Sequence, residues 1–425
     1  MSGNTVDAAL RQRASRVIPN GMYGHESTRL LPDAFPQFFA RAEGAYIWDA
    51  DGNRYLDFMC AYGPNLLGYA DPRVNAAAAA QLALGDTMTG PSPLLVELAE
   101  TLVSMVSHAD WAMFCKNGTD ATTMAMTAAR AQTGRRRILV AEGAYHGAAP
   151  WCTPLPVGVV ADELALIGKY AYNDATSLEA AVAAAGDDLA AVFVTPFKHD
   201  AFADQAAADP AFARRARALC DRAGAMLVVD DIRAGFRLAR DCSWEPLGVR
   251  PDLSTWGKCV ANGHPISALL GSDACREGAG GMYATGSFWF AAVPMAAALA
   301  TLEILRTTDY LERTVALGAR LRRGLDAAAA RHGFTLRQTG PAQMPQILFA
   351  DDPDFRIGFA FAAAMLQRGV YTHPWHNMFL CAAMTEADID LAVHAADAAF
   401  AEVRAATGTL EPHPLVARLL RVMAH

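Results

Sequence analysis

The strongest constraint on the fold is a series of short apolar segments, spaced by alanine-rich stretches, through the middle of the chain. Residues 111–114, 137–140, 191–194 and 226–229 are largely apolar and lack the polar alternation of a half-exposed strand. That is the pattern of strands buried on both faces. Between them, 121–132, 176–185 and 210–223 read as helices. Strand and helix alternating over about 170 residues predict an α/β architecture with a mostly parallel sheet, and ligands in such sheets bind beyond the carboxyl ends of the strands.

At 425 residues the chain is too long for one small core, so two domains sharing a cleft are expected. An amphipathic start runs to Val17 and is broken by Pro19-Asn20-Gly21, and residues 44–57 alternate around an Asp51-Gly52 turn as a hairpin. After helical patterns at 294–306 and 316–332, a strand at 346–349, a helix at 355–367 and a last helix from Glu386 form a smaller α+β unit. The expected division is a large domain over 51–306 and a small one from 1–50 and 307–425.

A net charge of −8 and a pI near 5.8 argue against nucleic acid or an anionic membrane as the main partner. The basic run Arg135-Arg136-Arg137 reads as a solvated helix end. Eight cysteines include no Cys-x-x-Cys pair, which signals neither a metal site nor a disulfide framework and suits reduced thiols in the cytoplasm. The N-terminus has no apolar signal-peptide core, and no apolar run of about 18 residues suggests a membrane helix.

Chemistry centres on Lys258, set in Ser254-Thr255-Trp256-Gly257-Lys258-Cys259 downstream of Val228-Val229-Asp230-Asp231. A lysine in a small-residue turn after a strand that ends in acids supplies what a pyridine cofactor needs: an amine for an imine, and a carboxylate for the ring nitrogen. Pyridoxal 5′-phosphate (PLP) chemistry is therefore expected. Asn117-Gly118-Thr119-Asp120-Ala121 follows a strand and opens a helix, which suits a phosphate but also suits a plain helix cap. Tyr145-His146-Gly147 offers an aromatic face for a ring beside a permissive backbone.

These segments, in this order, together with 251–271 and the 44–58 hairpin, resemble the class III aminotransferases of PLP fold type I. The likeness leans toward the glutamate-1-semialdehyde 2,1-aminomutase branch. The resemblance implies a large domain with a seven-stranded, mostly parallel sheet and an active site at a homodimer interface. It implies Lys258 as the imine lysine, Asp230 on the pyridine nitrogen, Tyr145 stacked on the ring, and Asn117, Gly118 and Thr119 around the phosphate, with His146 beside the cofactor. Ser287 would reach the neighbouring subunit's phosphate.

Substrate contacts are expected from Arg29, Tyr62 and His376. Arg233 stands where relatives often have Gln or Met, and three readings stay open: the cofactor's ring oxygen, a substrate carboxylate, or a salt bridge to Asp231 or Asp200. The implied activity is transfer of an amino group between an amine or amino acid and a keto or aldehyde acceptor. An intramolecular aminomutase and an amino-acid racemase or epimerase are the alternatives. Small-molecule partners are expected, with no metal, nucleic acid or membrane.

Overall fold

The computed structural model describes residues 5–198 and 202–423. Its large sheet has seven strands: β1 Trp111–Cys115, β2 Arg137–Ala141, β3 Ile167–Tyr170, β4 Leu189–Val194, β5 Met226–Asp230, β6 Leu253–Trp256 and β7 Ser267–Gly271. Their order across the sheet is β1-β7-β6-β5-β4-β2-β3. Only β7 runs antiparallel to its neighbours; the β6-β5-β4-β2-β3 pairs are all parallel. Every residue of β4 is buried, as the unbroken apolar run predicted for a strand covered on both faces.

The expected helices are present as Gly118–Thr133, Ala175–Ala185 and Pro210–Ala223. Each begins on a side chain that accepts a backbone N–H: Asn117, Asp174 and Asp209. Such caps satisfy donors that the helix itself leaves unpaired.

The basic run differs from expectation. Arg135 Nη1 donates to the carbonyls of Leu189, Ala223 and Gly224, and Arg136 pairs with Asp188 at 3.0 Å. Arg137 opens β2. Arg135 thus ties loop carbonyls together before β2, and Arg136 and Arg137 face Asp188 just before β4, so only part of the run is solvated.

A second sheet orders Phe39–Glu43, Tyr46–Asp49, Arg54–Asp57 and Val370–Tyr371. The expected hairpin lies in its centre, and Asp49 holds its turn by accepting from the N–H groups of Asp51 and Asn53 and from the Tyr55 hydroxyl. Val370–Tyr371 pairs parallel with Arg54–Asp57, so the C-terminal part closes the N-terminal sheet.

Two principal apolar cores result. One is built on the large sheet and the helix Ala292–Thr307; the other joins the hairpin to the helices Tyr310–Arg331, Arg356–Gln367 and Glu386–Ala406. The core changes between Cys60 and Leu66 and again between Tyr310 and Leu317. The expected boundary at residue 51 thus falls inside the hairpin, whose second strand packs with the small unit. Arg237 bridges the two, donating to Leu380 O at 2.9 Å and Gly63 O at 2.7 Å.

Candidate active site

The site forms where β5 and β6 end. Gly257 continues the strand in extended backbone, and Lys258 then turns into the left-handed region at φ 44°. That conformation costs a non-glycine residue about 1 kcal/mol. The short turn Lys258–Ala261 and Asn262 hold it in place, Asn262 accepting from Leu67 N at 2.8 Å and donating to Gly68 O at 2.9 Å.

Lys258 is half-buried and lines a cavity of about 400 Å³ with Asp230, Tyr145, His146, Thr119 and Arg233. Removal from water disfavours the ammonium, and the Arg233 charge disfavours it further, while Asp230 opposes both; the amine is pulled down to about 8. A large fraction is then neutral near that pH, and only the neutral amine is a nucleophile.

Asp230 is buried at the end of β5. Its Oδ2 faces His146 Nδ1 at 2.7 Å, and its Oδ1 accepts from Thr255 Oγ1 at 3.0 Å and Ile232 N at 3.2 Å. A carboxylate only accepts, so His146 Nδ1 carries the proton, leaving the buried Nε2 without a partner among the described residues. Asp231 turns the other way and accepts from Ser243 N at 2.9 Å; burial pushes its carboxyl up to about 7.

The helix Gly118–Thr133 also begins at this cavity, which Gly118 and Thr119 line. Asn117 and Asp120 form a reciprocal capping box, which leaves the N–H groups of Gly118 and Thr119 for a ligand. A Cβ on Gly147, whose φ is 124°, would stand 2.5 Å from Thr119 Oγ1, and one on Gly118 would stand 3.0 Å from Ile232 Cγ2. The two glycines keep the backbone open at a point that side chains would fill. An amine, a hydrogen-bonded carboxylate and a phosphate cradle in one cavity are the donor set that PLP requires, and the residues fit it.

Among the other expected positions, Tyr145 lines the cavity at 40% exposure. Tyr62 donates to His25 O at 2.8 Å, and its ring lies 5.4 Å from that of His376. Arg233 Nη1 donates to Asn377 Oδ1 and lies 3.3 Å from His376 Nε2.

Arg29 is exposed and lines a separate groove against the C-terminal helix Pro414–Met423, so it is not brought to the cavity. Ser287 is exposed and away from it in the protomer. The suggested Arg233 bridge to Asp231 is not formed, because Asp231 faces Ser243; Asp200 and His199 lie outside the described residues. Sequence reasoning missed Lys116, Thr122, Thr195 and Ser267 as lining residues. Their signal was positional, since each stands at or just beyond a strand end, or one helical turn into the phosphate-end helix.

The family model for class III aminotransferases matches residues 32–395. Aminopentol aminotransferase of Sphingopyxis macrogoltabida is 62% identical over 419 residues, covering 99% of each chain. The solved PLP internal aldimine form of the FumI protein of Sphingopyxis sp. MTA144 superposes with a TM-score of 0.96 at 63% identity, over 96% of this chain and 99% of that one. Glutamate-1-semialdehyde 2,1-aminomutase of Nitrosospira multiformis is 31% identical, covering 92% of this chain and 98% of that one. With these matches, and with a lysine, a carboxylate and a helix start meeting in one cavity, the chain belongs to the class III aminotransferases and is a PLP-dependent aminotransferase.

Proposed function

We propose that the enzyme takes the amino group of a primary amine on a hydroxylated chain and gives it to a keto or aldehyde acceptor. The donor carbon is oxidised to a carbonyl and the acceptor carbon is reduced to an amine. The observation that carries the reading is the half-buried Lys258 amine, pulled down to about 8, in the same cavity as the hydrogen-bonded Asp230. The donor class follows from the relative at 62% identity, named for aminopentol, and from the polar groups of Thr195, His264 and Ser267 on the cavity wall.

Bound PLP supplies a carbonyl carbon and an electron-accepting ring. Lys258 would hold the cofactor through its amine, and the same amine would move the proton from the substrate carbon. Asp230, backed by His146, keeps a negative charge at the ring nitrogen. Gly118 and Thr119 hold the phosphate, with Asn117 shaping their loop, and Tyr145 covers the ring.

The working form is a homodimer in the cytoplasm. Leu84, Met88, Tyr283 and Phe288 are exposed at 80%, 45%, 96% and 63%, and the segments that carry them are tied by Asp86, whose carboxylate and carbonyl accept from Val293 N and Ala292 N. Apolar surface of that kind favours a second copy. Ser287 lies in one of these segments and reaches the partner's phosphate end. Eight unpaired cysteines, seven of them buried, suit a reducing compartment.

Mixing the PLP-loaded enzyme with a hydroxylated primary amine, without acceptor, tests the reading. The cofactor absorbance should change and carbonyl product should appear, one equivalent per site, and a 2-oxo acid should restore the spectrum. An isomerised product alone would mark a mutase, and α-hydrogen exchange with inversion in heavy water a racemase; either result contradicts the proposal.

A further inference from the structure

Arg233 is a cation of the cavity that forms no salt bridge among the described residues. Asp230 is the acid beside it, but it forms no hydrogen bond to Arg233: it faces His146 on one oxygen and accepts from Thr255 and Ile232 N on the other. Asp231 points away to Ser243 N. Among the described residues no carboxylate pairs with Arg233, and only Nη1 of its guanidinium has hydrogen-bond partners. The other two nitrogens keep three N–H groups free.

The partners of Nη1 are neutral. His376 Nδ1 lies 2.6 Å from the Asn377 carbonyl, and a carbonyl oxygen only accepts, so Nδ1 is the protonated nitrogen. Nε2 is then the lone pair that receives Arg233. Asn377 offers its Oδ1, and the Phe379 ring lies 5.9 Å from the guanidinium carbon. His376 and Asn377 thus fix the direction of the fork without neutralising it. Burial disfavours the charge most, with a smaller contribution from Arg237, while Tyr145 and Asp230 favour it; the structure thus keeps a cation without a salt bridge, at a cost that an anionic ligand would offset.

The phosphate end is built elsewhere, at Gly118 and Thr119. A planar guanidinium whose charge acts on Lys258 suits a planar carboxylate bound through two parallel N–H groups.

We propose that Arg233 is the specificity residue for the acceptor and binds the carboxylate of a 2-oxo acid. The inference rests on the aminotransferase reading above and names its acceptor class. The carboxylate sets the 2-oxo carbon toward Lys258, while the amine donor needs no such anchor. The donor half and the acceptor half therefore make different demands on one residue.

The test compares a 2-oxo acid with the aldehyde that lacks only its carboxylate, using PLP-loaded wild type, Arg233→Gln and Arg233→Lys. In Arg233→Gln the ratio of kcat/KM for the 2-oxo acid to that for the aldehyde should fall on the order of 30- to 100-fold, the range of a lost charge-assisted pair. Arg233→Lys should recover part of it. Equal losses on both acceptors would place Arg233 on the cofactor's ring oxygen and overturn the proposal.

Calorimetry with acetate and acetamide gives a readout apart from turnover. Wild-type protein, with and without PLP, should bind acetate at least tenfold more tightly than acetamide, and Arg233→Gln should lose that preference. This holds even if the variant is unstable, since a wild type without the preference is already sufficient to refute the idea. A wild type that converts no amine with any acceptor would instead remove the aminotransferase reading itself.

Discussion

Replacing Asp230 by Asn keeps the shape of the side chain and removes its charge. The amide oxygen can still accept from Thr255 Oγ1 and Ile232 N, now at 3.0 and 3.2 Å. The amide nitrogen would then meet His146 Nδ1, which lies 2.7 Å from the present carboxylate, and the imidazole must move its proton to Nε2. That nitrogen is buried and already lacks a partner among the described residues, so the exchange adds little to the cost of folding.

What is lost is the charge opposite the pyridine nitrogen. Removing one preorganised electrostatic partner from a water-poor site typically costs about 3–4 kcal/mol of barrier, or roughly 10²–10³ in rate. Asp230 also raises the Lys258 amine, so the variant should titrate that lysine below its present value near 8. Stopped-flow spectroscopy of the donor half-reaction reads the first effect, and thermal unfolding checks that the fold persists. A variant with wild-type melting and a rate within threefold of wild type would refute the assignment.

Asp231 gives a pH prediction of opposite character. Its folded-state carboxyl holds a proton up to about pH 7, whereas the unfolded chain releases it near 4. Folding therefore takes up a proton between those values, so this group's contribution to stability falls as pH rises from 4 to 7 and stays low above. Asp231→Asn should stabilise the protein by on the order of 2–4 kcal/mol at pH 8 and by little at pH 4, read from urea midpoints; equal effects at both pH values would contradict the cause. Gly147→Ala forces a Cβ to within 2.5 Å of Thr119 Oγ1 at a backbone φ of 124°, and should weaken PLP retention at least tenfold by equilibrium dialysis; unchanged retention would exclude this corner as the phosphate end.

The alternation of apolar runs and alanine-rich helices was sufficient to read β1, β2, β4 and β5, because β4 and β5 are apolar nearly throughout and show no polar period; β6 was not read this way, since its Leu253-Ser254-Thr255-Trp256 carries two polar residues although all four are buried. Lys258, Asp230 and Gly118 were legible because strand ends and helix starts converge in any sheet of this kind. Arg29 was not legible, since the groove that an exposed loop side chain faces is set by packing against distant elements, here the C-terminal helix. The pairing of Arg233 with Asn377 and His376 joins elements 143 and 144 residues apart. Only the packing of the small unit against β5 brings them together, and no local pattern encodes it. The arginine run failed for a related reason: its partners, loop carbonyls for Arg135 and the Asp188 carboxylate for Arg136, lie more than 50 residues away in the chain, which a sequence does not display.

Covalent attachment at Lys258 is the claim beneath all of these. Borohydride reduction of the PLP-loaded enzyme, followed by proteolysis and mass spectrometry, should find the pyridoxyl mass on Lys258 alone, and Lys258→Ala should carry none. A label on Lys116 or another lysine, or undiminished turnover in Lys258→Ala, would contradict the account.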